Sequence, residues 1–303
     1  MNVIELDAVS KSFGPVRAVD ALSVAVPEGC VYGFLGPNGA GKTTTLRMIM
    51  DIIRPDSGAI RVFGDGDAVA RRKRIGYMPE ERGLYRKMAA RNVLKYFGAL
   101  KGMSGASLSQ AADEWLGRVG LARHAGKKVE ELSRGMHQKL QFAVTAVNDP
   151  ALLILDEPFS GLDPVNQDLL REIIDGMRAA GKTVVFSTHV MHEAERLCDF
   201  IVLISRGAVL VDGSLESIRS RHESRTVSLE LEGESGFLAS LPGVEAVKPA
   251  GRRIEVELSD RADPQDLLRA LVERVRVLAF EIKQPTLHEI FVKLVGGGDA
   301  EDS

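Results

Sequence analysis

The sequence predicts an α/β fold, a parallel sheet wound with helices, carrying an all-helical insert and followed by a small α+β domain. Three observations predict it. Strand-like and helix-like runs alternate from the start to about residue 220. Two strand-like runs, 152–155 and 183–186, are continuously apolar or β-branched, as in central strands covered on both faces. A glycine-rich loop joins the apolar run Cys30-Val31-Tyr32-Gly33-Phe34-Leu35 to a helix-like run starting near Lys42.

In chain order, strands are expected at 3–6, 22–26, 31–35, 59–62, 75–77, 152–155, 183–187, 200–204 and 208–211. Residues 86–148 break the alternation with a long helix-rich stretch, read as a helical subdomain within a domain spanning 1–223. The charged run at 219–225 reads as a linker. Beyond it, 226–231 and 254–258 alternate apolar with polar, as half-exposed antiparallel strands do. With strands at 244–248 and 277–283 and helices at 237–241 and 264–272, the order β-α-β-β-α-β suggests a ferredoxin-like domain over 224–295. A helix at 285–294 and a glycine-rich acidic tail, 296–303, expected to be disordered, close the chain.

Composition narrows the function classes. A length of 303 residues allows one large domain or two smaller ones. Hydrophobic content of 45% against 27% charged suits a soluble globular protein with a sizeable core. A net charge of −3 lacks the basic surplus of a nucleic-acid footprint, so no nucleic-acid partner is expected. The run Arg71-Arg72-Lys73-Arg74 reads as a solvated helix face. Cys30 and Cys198 lie in apolar runs and read as buried free thiols in a reducing compartment. The start lacks a signal-peptide layout, and no apolar stretch nears the roughly 18 residues that span a bilayer. The expected location is cytoplasmic, or on the cytoplasmic face of something else.

The chemistry begins at Gly36-Pro37-Asn38-Gly39-Ala40-Gly41-Lys42-Thr43, a complete G-x-x-x-x-G-K-[ST] loop followed by Thr44. Gly36, Gly39 and Gly41 let the backbone curl so that several N–H groups face one anion. The helix start adds its positive dipole end. Lys42 can reach β- and γ-phosphates, and the Thr43 hydroxyl can ligate Mg²⁺. Downstream, an apolar strand ends in Asp156-Glu157. Asp156 is placed to hold Mg²⁺, and Glu157, pointing to the other side of the pleat, can face the γ-phosphate and an attacking water. Leu132-Ser133-Arg134-Gly135-Met136 opens an amphipathic helix with Ser133 as N-cap, a second anion site. Phe13 lies on a hairpin-like segment upstream and offers a plate for a base. His189 follows the buried strand 183–187, at the edge where open parallel sheets bind ligands, and can hold the γ-phosphate or the water.

In this order and spacing, residues 1 to about 220 resemble the ATP-binding cassette (ABC) ATPases, a P-loop NTPase family with a helical subdomain. The resemblance implies that Phe13 stacks on adenine, that 36–44 bind ATP phosphates, and that Lys42, Glu157 and His189 are catalytic. It assigns 132–136 to the signature sequence and Ser160-Gly161-Leu162-Asp163 to a loop crossing a dimer interface. In that family the signature serves the partner's nucleotide. With one loop and one signature, the resemblance implies a homodimer around two ATP, with Ser133, Gly135 and Asp163 facing the partner's ATP. Thr43, Asp156 and Glu80 form the implied Mg²⁺ set.

Two positions depart from the pattern. Glu80 stands where a glutamine is usual; a carboxylate can ligate Mg²⁺ but adds negative charge near the phosphates. Arg134 replaces a glycine, either placing a cation near the partner's phosphates or facing solvent. The stretch 79–85 and the ending 285–291 resemble the bacterial export subgroup, which includes sodium-efflux and drug- or antibiotic-export ATPases. That implies a separate integral-membrane permease, contacted by the helical insert and the 80–85 loop, with this chain peripheral on the inner face of the membrane. The rival reading is a cassette ATPase without a permease, acting on ribosomes or DNA. Tandem cassettes, a coiled-coil insertion or a basic surface would mark it, and none is visible.

Overall fold

A computed structural model describes residues 1–64, 72–81, 83–221, 226–259 and 262–296. The chain divides into two compact units, Met1–Leu215 and Glu216–Ser303. The charged run read from the sequence as a linker begins inside a helix, Leu215–Arg221. Part of that charged run (222–225), Arg71, Arg82 and the tail at 297–303 lie outside the described residues.

The first unit holds two sheets. One has six strands in the order β5-β6-β7-β3-β8-β9, formed by Ile75–Met78, Leu152–Asp156, Thr183–Thr188, Val31–Leu35, Phe200–Ser205 and Ala208–Ser214. Its pairs are parallel from β5 through β8, and β9 joins antiparallel. Every residue of β3, β6 and β7 is buried, as their unbroken apolar runs require of central strands. Three expected strands do not join this sheet. Asn2–Phe13 (β1), Val16–Pro27 (β2) and Ser57–Val62 (β4) form a separate antiparallel sheet in the order β2-β1-β4. A tight turn at Gly14-Pro15 makes β1 and β2 antiparallel neighbours, and much of β2 alternates buried with exposed, so one face meets water.

The inner faces of both sheets and the helix Lys42–Ile49 share one apolar core, with Ile4, Val24, Phe34, Leu46 and Val202 all buried in it. Within 86–148 the chain forms the helices Ala90–Leu100, Gly105–Arg118 and Arg134–Ala146, with short 3-10 turns between the last two. Trp115 meets Phe142 edge to face at 6.2 Å, packing the second of these helices on the third.

In the second unit, Thr226–Glu232 (β10), Val244–Ala250 (β11), Arg253–Leu258 (β12) and Arg276–Ile282 (β13) form an antiparallel sheet in the order β11-β12-β10-β13. Helix Pro264–Val272 buries Leu267 and Leu271 in the cluster that holds Val227, Leu229 and Val256. This is the expected ferredoxin-like order, but the first helix is a single 3-10 turn, Leu238–Ser240. The span between Gly236 and Pro242 is too short for more.

Candidate active site

Four segments leave the carboxyl ends of parallel strands and meet at one edge of the six-stranded sheet: the glycine loop after β3, Glu80 after β5, Glu157 after β6 and His189 after β7. That edge is where open α/β sheets place ligands.

The loop's shape is dictated at two glycines. Gly36 has φ +150°, and a Cβ there would sit 2.1 Å from the Ile204 carbonyl oxygen. Gly41 has φ +102°, with the Ala18 carbonyl oxygen 2.3 Å from such a Cβ. Side chains at either position would collide with backbone. Helix Lys42–Ile49 follows at once, so its first N–H groups, which have no intrahelical acceptor, face the loop's mouth. The Lys42 ammonium is buried and donates to the Gly36 and Pro37 carbonyls at 2.7 and 3.0 Å. Burial lowers its pKa, opposed by the carboxylates of Glu157, Asp156 and Glu80.

Asn38, Gly39, Ala40, Gly41, Lys42, Thr43 and Thr44 line one cleft with Glu80, Glu157 and Ala18. The sequence alone does not mark Ala18. Deeper in, Asp156 is fully buried, and its Oδ1 accepts from Ser187 Oγ at 2.5 Å and from Thr43 Oγ1 at 3.1 Å. Its Oδ2 is buried without a partner. A hydroxyl beside a carboxylate with a free buried oxygen is a hard-oxygen donor set, which fits Mg²⁺. Among the described residues no group of three or more His, Cys, Asp or Glu is placed to hold a metal ion. Mg²⁺ in nucleotide sites takes few protein ligands and completes its shell with phosphate and water.

Glu157 lies one residue beyond β6 at φ +49°, a left-handed conformation uncommon for a residue with a Cβ. This turn, rather than the strand pleat invoked from sequence, aims its carboxylate. The side chain is nearly buried, and Oε1 lies 2.9 Å from His189 Nδ1. Burial raises the carboxyl's pKa, and the His189 hydrogen bond works against it. Ser187 Oγ also accepts from the Glu157 N–H at 3.0 Å, so one hydroxyl braces both acids.

The remaining candidates lie elsewhere on the unit. Ser133 caps helix Arg134–Ala146 by accepting from Met136 N at 3.3 Å. Gly135 faces Leu162 and Gly161, and Asp163 caps helix Pro164–Ala179 by accepting from Asn166 N at 2.9 Å. Ser133, Gly135 and Asp163 are therefore grouped, and none of them lines the Lys42 cleft. Arg134 is exposed and lies over Gly161, whose Cβ would fall 2.4 Å from Arg134 Nε. Phe13, half exposed at the end of β1, carries Lys11 Nζ 5.7 Å from its ring and does not line the cleft either.

A phosphate loop on a parallel sheet, with two strand-end acids and a histidine facing it, defines a P-loop NTPase. A family model described as "ABC transporter" matches residues 19–160, and one described as "ATP-binding protein DrrA1-3-like, C-terminal domain" matches 213–295. An uncharacterized ABC transporter ATP-binding protein of Bacillus subtilis is 38% identical over 97% of this chain and 99% of its own. The Nod factor export ATP-binding protein I of Rhizobium sp. is 36% identical, covering 97% of each. Among solved structures, an ATP-binding subunit of an ABC transporter superposes with TM-score 0.68 at 30% identity, over 73% of this chain and 93% of that one. A dimeric bacterial ABC transporter cassette gives 0.65 at 26% identity, over 70% and 98%. The chain belongs to the ABC transporter ATP-binding proteins and is an ATPase of that family. Among the described residues no helix is long and apolar enough to cross a membrane.

Proposed function

We propose that this chain is the ATP-hydrolysing subunit of an exporter, working as a homodimer on a separate membrane permease from the inner face of the membrane. The observation that carries this is the spatial separation of the two half-sites. The Lys42 cleft contains the hydrolytic groups, while Ser133, Gly135 and Asp163 form a second cluster outside it. Two chains arranged head to tail give each ATP one half-site from each. A relative named for Nod factor export and a dimeric cassette among the structural neighbours support the reading.

In the proposed mechanism Phe13 stacks on the base and the loop N–H groups hold the phosphates. Lys42 exchanges its bonds to loop carbonyls for γ-phosphate oxygens. Thr43 and Asp156, with Glu80 from the cleft wall, would hold Mg²⁺, which when bound neutralises charge on the phosphate oxygens. Glu157 accepts the proton of the attacking water as the water oxygen bonds to γ-phosphorus. The bond from γ-phosphorus to the bridging oxygen breaks, releasing ADP. His189 orients the Glu157 carboxylate and the water. Losing the γ-phosphate removes what both half-sites contact, and the dimer opens.

The permease would dock on an apolar groove lined by Gly76, Tyr77, Pro79, Gly83, Leu84 and Phe97. Tyr85 and Tyr96, edge to face at 5.1 Å and well exposed, lie beside Phe97. Membranes from a host expressing the tagged chain test this. The wild type should sediment with salt-washed membranes, and Tyr85→Ala/Tyr96→Ala should not, while keeping full ATPase activity. A wild-type chain found only in the cytosol or with ribosomes would overturn the reading.

A further inference from the structure

Helix Arg134–Ala146 carries two glutamines three residues apart, hence on one face, and both are buried. Their amides reach two different site loops. Gln138 Nε2 donates to the Glu157 and Pro158 carbonyls at 3.2 and 2.9 Å. Gln141 Nε2 donates to the Pro79 and Glu81 carbonyls at 2.7 and 3.1 Å, on either side of Glu80. Each –NH₂ has two N–H donors and bridges two carbonyls. A glutamate would set a carboxylate against carbonyl oxygens, and an apolar side chain would leave the carbonyls without these donors.

Gln138 matters most because of what it holds. The Glu157 turn has the left-handed φ that a Cβ disfavours, so it persists only where its surroundings fix it. Ser187 holds its N–H and Gln138 its carbonyl. The helix that supplies Gln138 begins at Ser133 and Gly135, so the same rigid element joins the second cluster to the general base.

We propose that Gln138 and Gln141 clamp the signature helix, the Glu157 turn and the Glu80 loop into one body. Gln138 is a positioning residue for Glu157, and Gln141 is one for Glu80. Contact made at Ser133 is then felt at Glu157 of the same chain, within the head-to-tail dimer proposed above, on which this inference rests.

The test uses full-length Gln138→Met and Gln141→Met, similar in length but without donors. For each, kcat should fall about tenfold or more while the KM for ATP stays within about twofold, the pattern of a lost transition-state interaction. In single turnover on a Glu157→Gln background, adding Gln138→Met should change the rate less than about twofold, because the positioned group is already gone. An equal loss on both backgrounds, or undiminished kcat in the Met variants, overturns the clamp. Wild-type turnover in Glu157→Gln alone overturns the base assignment instead, which separates the two failures. If the Met variants do not fold, the wild type still decides. With ¹⁵N-glutamine labelling, the side-chain amides of Gln138 and Gln141 should exchange slowly with solvent, and rapid exchange would refute the clamp.

Discussion

Removing one hydroxyl, in Ser187→Ala, tests the electrostatics of the active site. Ser187 is fully buried. It donates to Asp156 Oδ1 at 2.5 Å and accepts from the Glu157 N–H at 3.0 Å. The hydrogen bond to a carboxylate contributes about 1.5–3 kcal/mol, and stranding the Glu157 N–H adds about 1–3 kcal/mol. The two share an atom and do not add fully, so about 3 kcal/mol is expected. For a domain of this size that corresponds to a melting-temperature loss of roughly 6–12 °C. Turnover should fall roughly 10–100-fold, because the loss loosens the turn that aims Glu157. Differential scanning calorimetry and a phosphate-release assay read the two effects. A melting shift under about 2 °C together with undiminished turnover would refute the bracing role.

Four further outcomes follow from the geometry. Lys42→Ala should weaken ATP binding itself, measured by titration calorimetry, and unchanged affinity would count against the phosphate loop. Gly41→Ala forces a Cβ to 2.3 Å from the Ala18 carbonyl at φ +102°, so it should abolish nucleotide binding; normal binding would contradict the loop geometry. Burial raises the Glu157 pKa, so activity should be lost on acidification above the pH at which an ordinary glutamate titrates, about 4.3. The His189 bond favours the ionised carboxylate, so His189→Ala should move this acid limb of kcat to higher pH. A limb that stays put would separate His189 from Glu157.

Much of this arrangement can be read from the chain. Continuous apolar runs mark β3, β6 and β7, and residues that follow such runs fall at the sheet's carboxyl edge, which is how Lys42, Asp156, Glu157 and His189 come to be neighbours. The separate antiparallel sheet was less legible, because alternation identifies strands but not the sheet they join. The braces were not legible at all. Gln138 and Gln141 sit among Lys139, Leu140 and Phe142, where a glutamine looks like helix surface. Only the packing shows four carbonyls waiting for donors. Ser187 left a fainter trace, as the polar residue that ends an apolar strand just before Thr188-His189. Glu157's aim could not come from pleat alternation, since a left-handed turn begins at that residue.

In the proposed mechanism the site is complete only between two chains. Light scattering of Glu157→Gln with and without ATP tests it most directly. The variant should bind ATP, hydrolyse it too slowly to clear it during the measurement, and double its mass from the 32.9 kDa of one chain. Adding Ser133→Arg should leave ATP bound to each chain but prevent the doubling. A variant that stays monomeric at saturating ATP, or a Ser133→Arg form that still dimerises, would contradict the shared site.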